Sequence, residues 1–529
     1  MRYKVLIPAA GTGSRLGGIT KYLNKSLVSI ANKPALTRII EMFPSDTEFV
    51  IAVGYKGELV KEFIELAYPD RKIDTVDVFP YEGEGSGLGL SIQLCKEYLQ
   101  EPFVFCSCDT LVNESIPEPD RNWMGYDIRD NKEQYRTISV NKNCEVECIN
   151  EKGVFHGSEI YPYIGLAGIH DYKTFWKIME EGGNTAVLQG ESYGLKGLVE
   201  QVKIYAEKFT WFDTGVKVEL EATRNRYKNM NDPNILEKAN EAIWFLDNKV
   251  IKFSDDANFI SDRITRAELL KNYVPQITAF TKHMYCYEYV HGDVMSRYDT
   301  LPIFKKMLDF SKLFWKEVSL NEDERKKFET TCLAFYKDKT FKRVNLFYNN
   351  FQKKDNAIRI NGICYPTLAE LFEKVDWEYV SNGLPGQFHG DYHFENILYD
   401  EKTGDFKFID WRQNFGIGLE TGDIYYDLAK LLHGLIVSHE LIAKEDFMIK
   451  WDDEKIEYDF YRKQRLVECE TYYYKWLKEN EYDLYKVKLL TSLIFLNISA
   501  LHEYPYSLLL YVLGKEMLAN VLQEGKQNE

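Results

Sequence analysis

Four short apolar runs punctuate the first part of the chain: YKVLIPA (3–9), EFVIAV (48–53), DTVDVF (74–79) and FVFCSC (103–108). Stretches with helical spacing separate them at 35–43, 57–67 and 87–99. Strands alternating with helices predict an α/β domain, a mainly parallel sheet covered on both faces. Such sheets bind ligands beyond the carboxyl ends of their strands, and Gly11 and Asp109 fall just after apolar runs, on that rim. The alternation closes with a helix over 217–226, and the pattern changes near Asn229–Asp232–Pro233. A domain boundary is therefore expected near 228, giving domains 1–228 and 229–529. Beyond it come a helix-like stretch and then AIWFLDNKVIKF (242–253), which predicts a β-hairpin turning at Asp247–Asn248. From 300 onward the pattern is amphipathic helix, interrupted by short strands around 388–415. The charged run DDEKIEYD (452–459) predicts a solvated turn and helix face. ETYYYKWL (470–477) predicts one amphipathic helix in preference to an aromatic cage for a cation.

At 529 residues the chain exceeds a single ordinary core, and two or three domains are expected. A net charge of −16 argues against the broad basic surface that nucleic acid requires, while leaving room for a small basic phosphate pocket. The opening residues turn Gly-rich before an apolar leader forms, and no charge-free stretch reaches spanning length. A cytoplasmic enzyme of small molecules is expected, with no nucleic-acid or membrane partner; a homo-oligomer is left open. The nine cysteines contain no CxxC pair and are expected to be reduced packing residues, not zinc ligands or disulfides.

The turn AAGTGSRLG (9–17) places Gly11, Gly13 and Gly17 directly after a strand. Without Cβ atoms their backbone N–H groups can approach a phosphate or base, and Arg15 can clamp a triphosphate. The spacing is not a dinucleotide fingerprint, and no P-loop Gly-Lys-Ser/Thr follows. NKSLVSIANKPAL (24–36), GEGSGLGLSI (83–92), CDT (108–110), INEKG (149–153), GLAGIHD (165–171) and WFDTG (211–215) come after it. In that order these segments resemble the sugar-1-phosphate nucleotidyltransferase family over residues 1–226.

The resemblance implies a Rossmann-like mixed sheet and attack of a phosphate on the α-phosphorus of an NTP, with release of pyrophosphate. It implies that Ala10, Gly11, Gly13 and Arg15 hold the NTP and that Lys25 neutralises charge on the α-phosphate. Gly85, Ser86 and Gly87 would lie against base and ribose. Asp109 and Asp213 would hold Mg²⁺. Glu151 would meet ring hydroxyls, Lys152 the sugar phosphate, and Gly168 would line the substrate side. Two departures stand out: Asn24 precedes Lys25 where the family usually has Pro, and GSGLG replaces Gly-Thr-Ala, which leaves base preference open. Apart from the family, Asp109 also reads as a strand-end cap, and INEKG as the end of a surface hairpin.

A second constellation lies in HGDYHFEN (389–396), where Asp391 and Asn396 have the spacing of a kinase base and metal-holding amide. FKFID (406–410) ends at Asp410, where a second metal ligand belongs. The segment is similar to the aminoglycoside phosphotransferase and choline kinase-like family over 232–529, which implies a two-lobed protein-kinase-like domain. Carried over, Asp391 takes a proton from a substrate hydroxyl, Asn396 and Asp410 hold Mg²⁺, and His389 and His393 order the loop, braced by Asp423 and Asp427. Lys252 would contact the ATP phosphates with Glu268 as its partner, and the strand YCYEYV (285–290), with Glu288, would bind adenine. VHGDVM (290–295) repeats His-Gly-Asp without the Asn, and 229–291 contains no Gly, so a protein-kinase phosphate loop is absent.

Together the two halves predict consecutive steps: ATP phosphorylates a hydroxyl compound, and a second NTP converts that phosphate to an NDP-activated precursor. A sugar phosphorylated at its anomeric hydroxyl, for cell-surface glycan synthesis, is the leading expectation. Choline or another amino alcohol giving a CDP adduct is the alternative. A third reading makes one half a degenerate regulatory module.

Overall fold

The computed structural model describes residues 3–157, 159–229, 238–416, 418–452 and 454–527. The helix-like stretch expected after Pro233 lies outside these. Two compact units emerge, Met1–Ile260 with Ile277–Tyr289, and Ser261–Gln276 with Val290–Glu529.

The first unit is built on four parallel strands in the order Phe103–Cys106, Lys4–Ala9, Glu48–Val53, Ile73–Asp77. Val5, Leu6, Ile7, Phe49, Val50 and Ile51 are fully buried, which explains the unbroken apolar runs: both faces of the sheet are covered. Strand Glu159–Ile169 joins antiparallel to Phe103–Cys106 and leads on to Thr137–Val140 and Val146–Asn150, so the sheet is mixed. Strand order reverses at Lys4–Ala9, which has Glu48–Val53 on one side and Phe103–Cys106 on the other. That reversal opens a crevice at the carboxyl ends, where the glycine turn and Asp109 emerge.

A second, antiparallel sheet of Glu241–Leu246, Lys249–Ser254, Met284–Glu288 and Ile277–Phe280 also belongs to this unit. Its hairpin turns at Asp247–Asn248, with Asp247 in the left-handed region at φ 46°. Trp244 sets its ring edge-on to Phe63 at 5.3 Å and donates a 3.0 Å hydrogen bond to Ser29 Oγ. Glu62 accepts from the Thr281 hydroxyl at 2.7 Å and the His283 backbone N–H at 2.8 Å. The boundary expected near 228 lies just before residues outside the described set. Compactness divides the described chain further on, because these contacts tie 241–254 and 277–288 to the first unit.

The second unit is mainly helical. Helix Ile424–Ile436 is buried along most of its length and packs between helices Gln464–Glu479 and Leu484–Ser499. Tyr473 and Trp476 are buried, and the Tyr473 hydroxyl donates to Leu428 O at 3.0 Å, so the aromatic run is core. The run 452–459 departs from expectation: Lys455–Phe460 is a strand, paired with Phe447–Trp451 and Ile358–Ile360. Ile456 is buried while Glu457 is exposed, a period of two that outweighs the charge density. All nine cysteines are free, and among the described residues no helix is long and apolar enough to cross a membrane.

Candidate active sites

In the first unit, residues from separate crevice segments meet. Gly13 adopts φ 67°, and a Cβ there would stand 2.9 Å from Thr20 Cγ2 and 3.0 Å from Lys25 Cβ. Only glycine satisfies both the left-handed turn and the close approach. Asn24 is fully buried; its amide donates to Ala9 O at 3.0 Å and Tyr55 O at 2.6 Å, and its Oδ1 accepts from Ser26 N at 2.8 Å. Asn24 thus anchors the loop by hydrogen bonds, and Lys25 keeps its place. The Lys25 ammonium hydrogen-bonds Asp109 Oδ2, Ser107 donates to Asp109 Oδ1 at 2.6 Å, and exposed Arg15 reaches to 3.8 Å of Asp109. Burial pushes the Asp109 carboxyl up, but the Lys25 charge and its hydrogen bonds win and hold it at about 2.

Asp213 arrives on strand Trp211–Asp213, which pairs antiparallel with Thr110–Val112 immediately after Asp109. It accepts from Gly215 N at 2.7 Å. A Cβ on Gly215 would stand 2.7 Å from Asp109 Oδ2 and 2.9 Å from Asp213 Oδ1, so both carboxylates converge on this glycine. Burial first, then the like charge of Asp109, raises the Asp213 carboxyl above its ordinary range. Two carboxylates in mutual repulsion beside a half-buried ammonium fit a small divalent cation completed by phosphate oxygens. Among the described residues no group of three or more His, Cys, Asp or Glu forms a self-sufficient metal site.

The other candidates are more dispersed. Gly85, at φ 80°, and Ser86 lie in the exposed turn before helix Leu88–Leu94. A Cβ on Gly87 would stand 2.2 Å from Val187 O, which gives that glycine a packing reason of its own. Gly168 is buried where a Cβ would strike the Trp123 indole at 2.1 Å. Ala10 is buried, and its carbonyl accepts from Tyr55 N at 2.9 Å. Lys152 is exposed. Glu151 accepts from Arg136 Nε at 3.1 Å and from the Lys196 ammonium, which leads the causes holding its carboxyl low.

Arg136, Lys196 and Glu191 were not anticipated from sequence. Glu191 is buried at the start of helix Glu191–Val199, and its Oε2 lacks a hydrogen-bond partner. Burial raises it to about 7, with Arg136 opposing and Asp109 adding. The folded protein therefore binds this proton more tightly than the unfolded chain, whose value is 4.5. Stability falls as pH rises from 4.5 to about 7 and stays reduced above. Glu191→Gln is expected to stabilise by up to about 3 kcal/mol at pH 8 and little at pH 5, read as the difference in Tm from wild type at each pH.

In the second unit the loop 388–396 is fixed from several directions. His389 is fully buried; its Nε2 is 2.9 Å from Ile409 O and its Nδ1 accepts from Asp391 N at 3.2 Å. Burial lowers this imidazole to about 3, so it stays neutral. Asp427 accepts from His389 N at 2.6 Å, Gly390 N at 2.7 Å and Trp315 Nε1 at 3.1 Å; Asp423 accepts from Leu384 N at 2.9 Å and the Tyr336 hydroxyl at 2.7 Å. Asn396 Nδ2 donates to Asp391 O at 2.9 Å and Oδ2 at 3.2 Å, with His393 Nε2 also at 3.2 Å. That amide orientation leaves Asn396 Oδ1 as the end available to a cation. Ile409 N donates to Asn396 O at 2.9 Å, which brings Asp410, at φ 59°, beside Asn396 along the backbone.

Two arginines of helix Ala257–Leu269 also engage this region. Arg263 Nη1 donates to Asp410 Oδ1 at 2.7 Å. Arg266 is fully buried and donates to Phe388 O at 2.5 Å, Leu419 O at 2.9 Å and Arg412 O at 3.2 Å. Glu268, the expected partner of Lys252, is exposed on that helix; Lys252 is buried on strand Lys249–Ser254, and the two belong to different units. Glu288 is exposed at the end of its strand. Arg266→Met is expected to cost about 3–5 kcal/mol, because three carbonyls, that of Phe388 fully buried, lose their donor. Arg266→Lys should rescue little, since one ammonium lacks the guanidinium fork; chemical denaturation of both variants checks this.

Comparisons with known proteins bear on the first of these sites. No protein-family model matches the chain. The chain is 28% identical over 225 residues, 40% of its length and 51% of the relative's, to the "Bifunctional protein GlmU" of Methanococcus vannielii. It is 26% identical over 115 residues, 21% of its length and 46% of the relative's, to "UTP--glucose-1-phosphate uridylyltransferase AglF" of Haloferax volcanii. The chain thus spans about half the length of these curated relatives. Among solved structures, the CTP:phosphocholine cytidylyltransferase (LicC) of Streptococcus pneumoniae aligns over 43% of this chain and 100% of that one, at 18% identity and TM-score 0.38. The N-terminal part is therefore similar in sequence to nucleotidyltransferases.

Proposed function

We propose that the first site transfers a nucleotidyl group from an NTP to a sugar 1-phosphate. The observation that carries this reading is the convergence of Asp109 and Asp213 on Gly215, with the Lys25 ammonium on Asp109, beside the glycine turn. A phosphate oxygen of the sugar attacks the α-phosphorus, a P–O bond forms, and the bond to the bridging oxygen of pyrophosphate breaks with its electron pair. No covalent protein intermediate is needed; Lys25 and Arg15 offset the charge that develops on the α-phosphate. Mg²⁺ held by Asp109 and Asp213 would supply further neutralisation of the triphosphate. Glu151, positioned by Arg136 and Lys196, is the side chain to meet sugar hydroxyls.

The second site, in this reading, is an ATP-dependent small-molecule kinase. Asp391 accepts the proton of the acceptor hydroxyl as its oxygen bonds the γ-phosphorus, and the bond to the β–γ bridging oxygen breaks toward ADP. Asn396 Oδ1 and Asp410 would hold Mg²⁺. Residues 1–228 then carry the transferase chemistry and 229–529 the kinase chemistry, consecutive steps in activating one compound. Incubation with a sugar panel, ATP, the four NTPs and Mg²⁺, followed by mass spectrometry, tests the whole. No pyrophosphate from any sugar phosphate would refute the sugar assignment.

A further inference from the structure

The carboxylate at the second site is set among cations. Lys430, on helix Ile424–Ile436, is buried and pairs with Asp391 Oδ1 at 2.8 Å. Lys339 starts helix Lys339–Phe351 directly after a π-helical turn, Ala334–Asp338, a distortion that recurs at functional sites. Its ammonium lies 4.2 Å from the Phe335 ring centroid, and the Arg412 guanidinium lies 5.0 Å from the same centroid. Arg412 also runs beside the loop: a Cβ on Gly390, next to Asp391, would stand 2.5 Å from Arg412 Cβ. Arg343 is one helical turn beyond Lys339 and half-buried.

These charges act on one another. The Lys339 amine is lowered to about 7, first by burial, then by Arg412, Arg343 and Lys430, with Asp391 pulling the other way. Among the described residues Lys339, Arg343 and Arg412 form no ion pair with a carboxylate. In a chain with 82 acidic and 66 basic residues, four cations acting on one another, one of them paired with Asp391, are a local reversal of the overall charge. Such an excess is costly to hold unless an anion arrives to balance it. It also opposes an ammonium acceptor such as choline.

We propose that the hydroxyl compound phosphorylated at the second site is itself an anion, whose carboxylate or phosphate group is held by Lys339, Arg343 and Arg412. The proposal rests on reading Asp391 as the base of a kinase site. Lys430 then has a separate task, holding the Asp391 carboxylate in place, while the other three cations select the acceptor. A sugar acid or a sugar already phosphorylated elsewhere has the required chemistry.

The test measures ADP release by the full-length protein with ATP, Mg²⁺ and matched acceptors: glucose, glucuronate and glucose 6-phosphate; glycerol and glycerate; and choline. An anionic member is expected to exceed its neutral partner at least about 100-fold in kcat/KM, from two or more charge-assisted hydrogen bonds. Whether the carboxylate or the phosphate compound leads tells which group the pocket takes. Lys339→Met and Arg343→Met should each raise KM for that acceptor about tenfold and leave KM for ATP within about twofold. Preference for choline or a neutral acceptor overturns the proposal, as does a rise in KM for ATP with acceptor KM unchanged. Should no acceptor be phosphorylated, thermal-shift binding of glucuronate, glycerate and glucose 6-phosphate separates the two ideas. Anion binding lost in Lys339→Met keeps the anion pocket and refutes the kinase; no anion binding refutes the pocket.

Discussion

Asp109→Asn is expected to lower pyrophosphate release at least about 10³-fold while ADP formation at the second site stays within about twofold. The substitution keeps side-chain volume and leaves the backbone bond from Thr214 N to Asp109 O, 3.0 Å long, untouched. It removes the charge that offsets Lys25 and half of the carboxylate pair at Gly215. The effect should fall on kcat, since the lost interactions act on charge that grows during transfer. Gly215→Ala is a second route to the same outcome, because its Cβ must displace both carboxylates. Pyrophosphate release within tenfold of wild type in both variants would remove this cluster from the reaction; loss of both half-reactions in either would show that the sites are not independent.

The complementary substitution, Asp391→Asn, should reduce ADP formation about 10³-fold, within the span typical of a lost general base. Pyrophosphate release from supplied sugar 1-phosphates should be unchanged. An amide cannot take the hydroxyl proton, yet it can still accept a hydrogen bond from Lys430. Burial would raise the Asp391 carboxyl, but Lys430 first and then His393 hold it well below the ordinary range. Asp391 is therefore ionised throughout the working range, and the acid limb of the pH–rate profile should not be its own. A Tm within a few degrees of wild type would separate lost chemistry from lost folding.

Part of the first cluster was readable because Gly11 and Asp109 directly follow apolar strands, Lys4–Ala9 and Phe103–Cys106, where the mixed sheet opens. Lys25 lies on a short helical turn and Asp213 on a separate pair of strands with Thr110–Val112, and their meeting with Asp109 is a tertiary event. The hairpin at Asp247–Asn248 was equally visible, since alternation and a turn pair coincide. Arg136, Lys196 and Glu191 were not visible: an antiparallel strand and a later helix bring Arg136 and Lys196 to Glu151, with Glu191 buried on the same helix, and no spacing in the chain records that meeting. Arg263 and Arg266 look like solvated charges on an amphipathic helix, and only tertiary packing aims them at Asp410 and three carbonyls. Glu268 lies on the helix that follows Lys252 in sequence, yet it is exposed. At 452–459, charge density suggested a helix face and hid a strand whose period of two is carried by only a few apolar positions.

The sheet of residues 241–254 and 277–288 closes on Phe63 and Glu62, while 261–276 belongs with the later residues. The two bodies are thus interleaved along the polypeptide, and no single break separates them whole. A gene cut at codon 228 would leave the first unit without the Trp244 lining of its core. Exchange of either body between genes would need at least two further junctions, so its inheritance is expected to be as one piece.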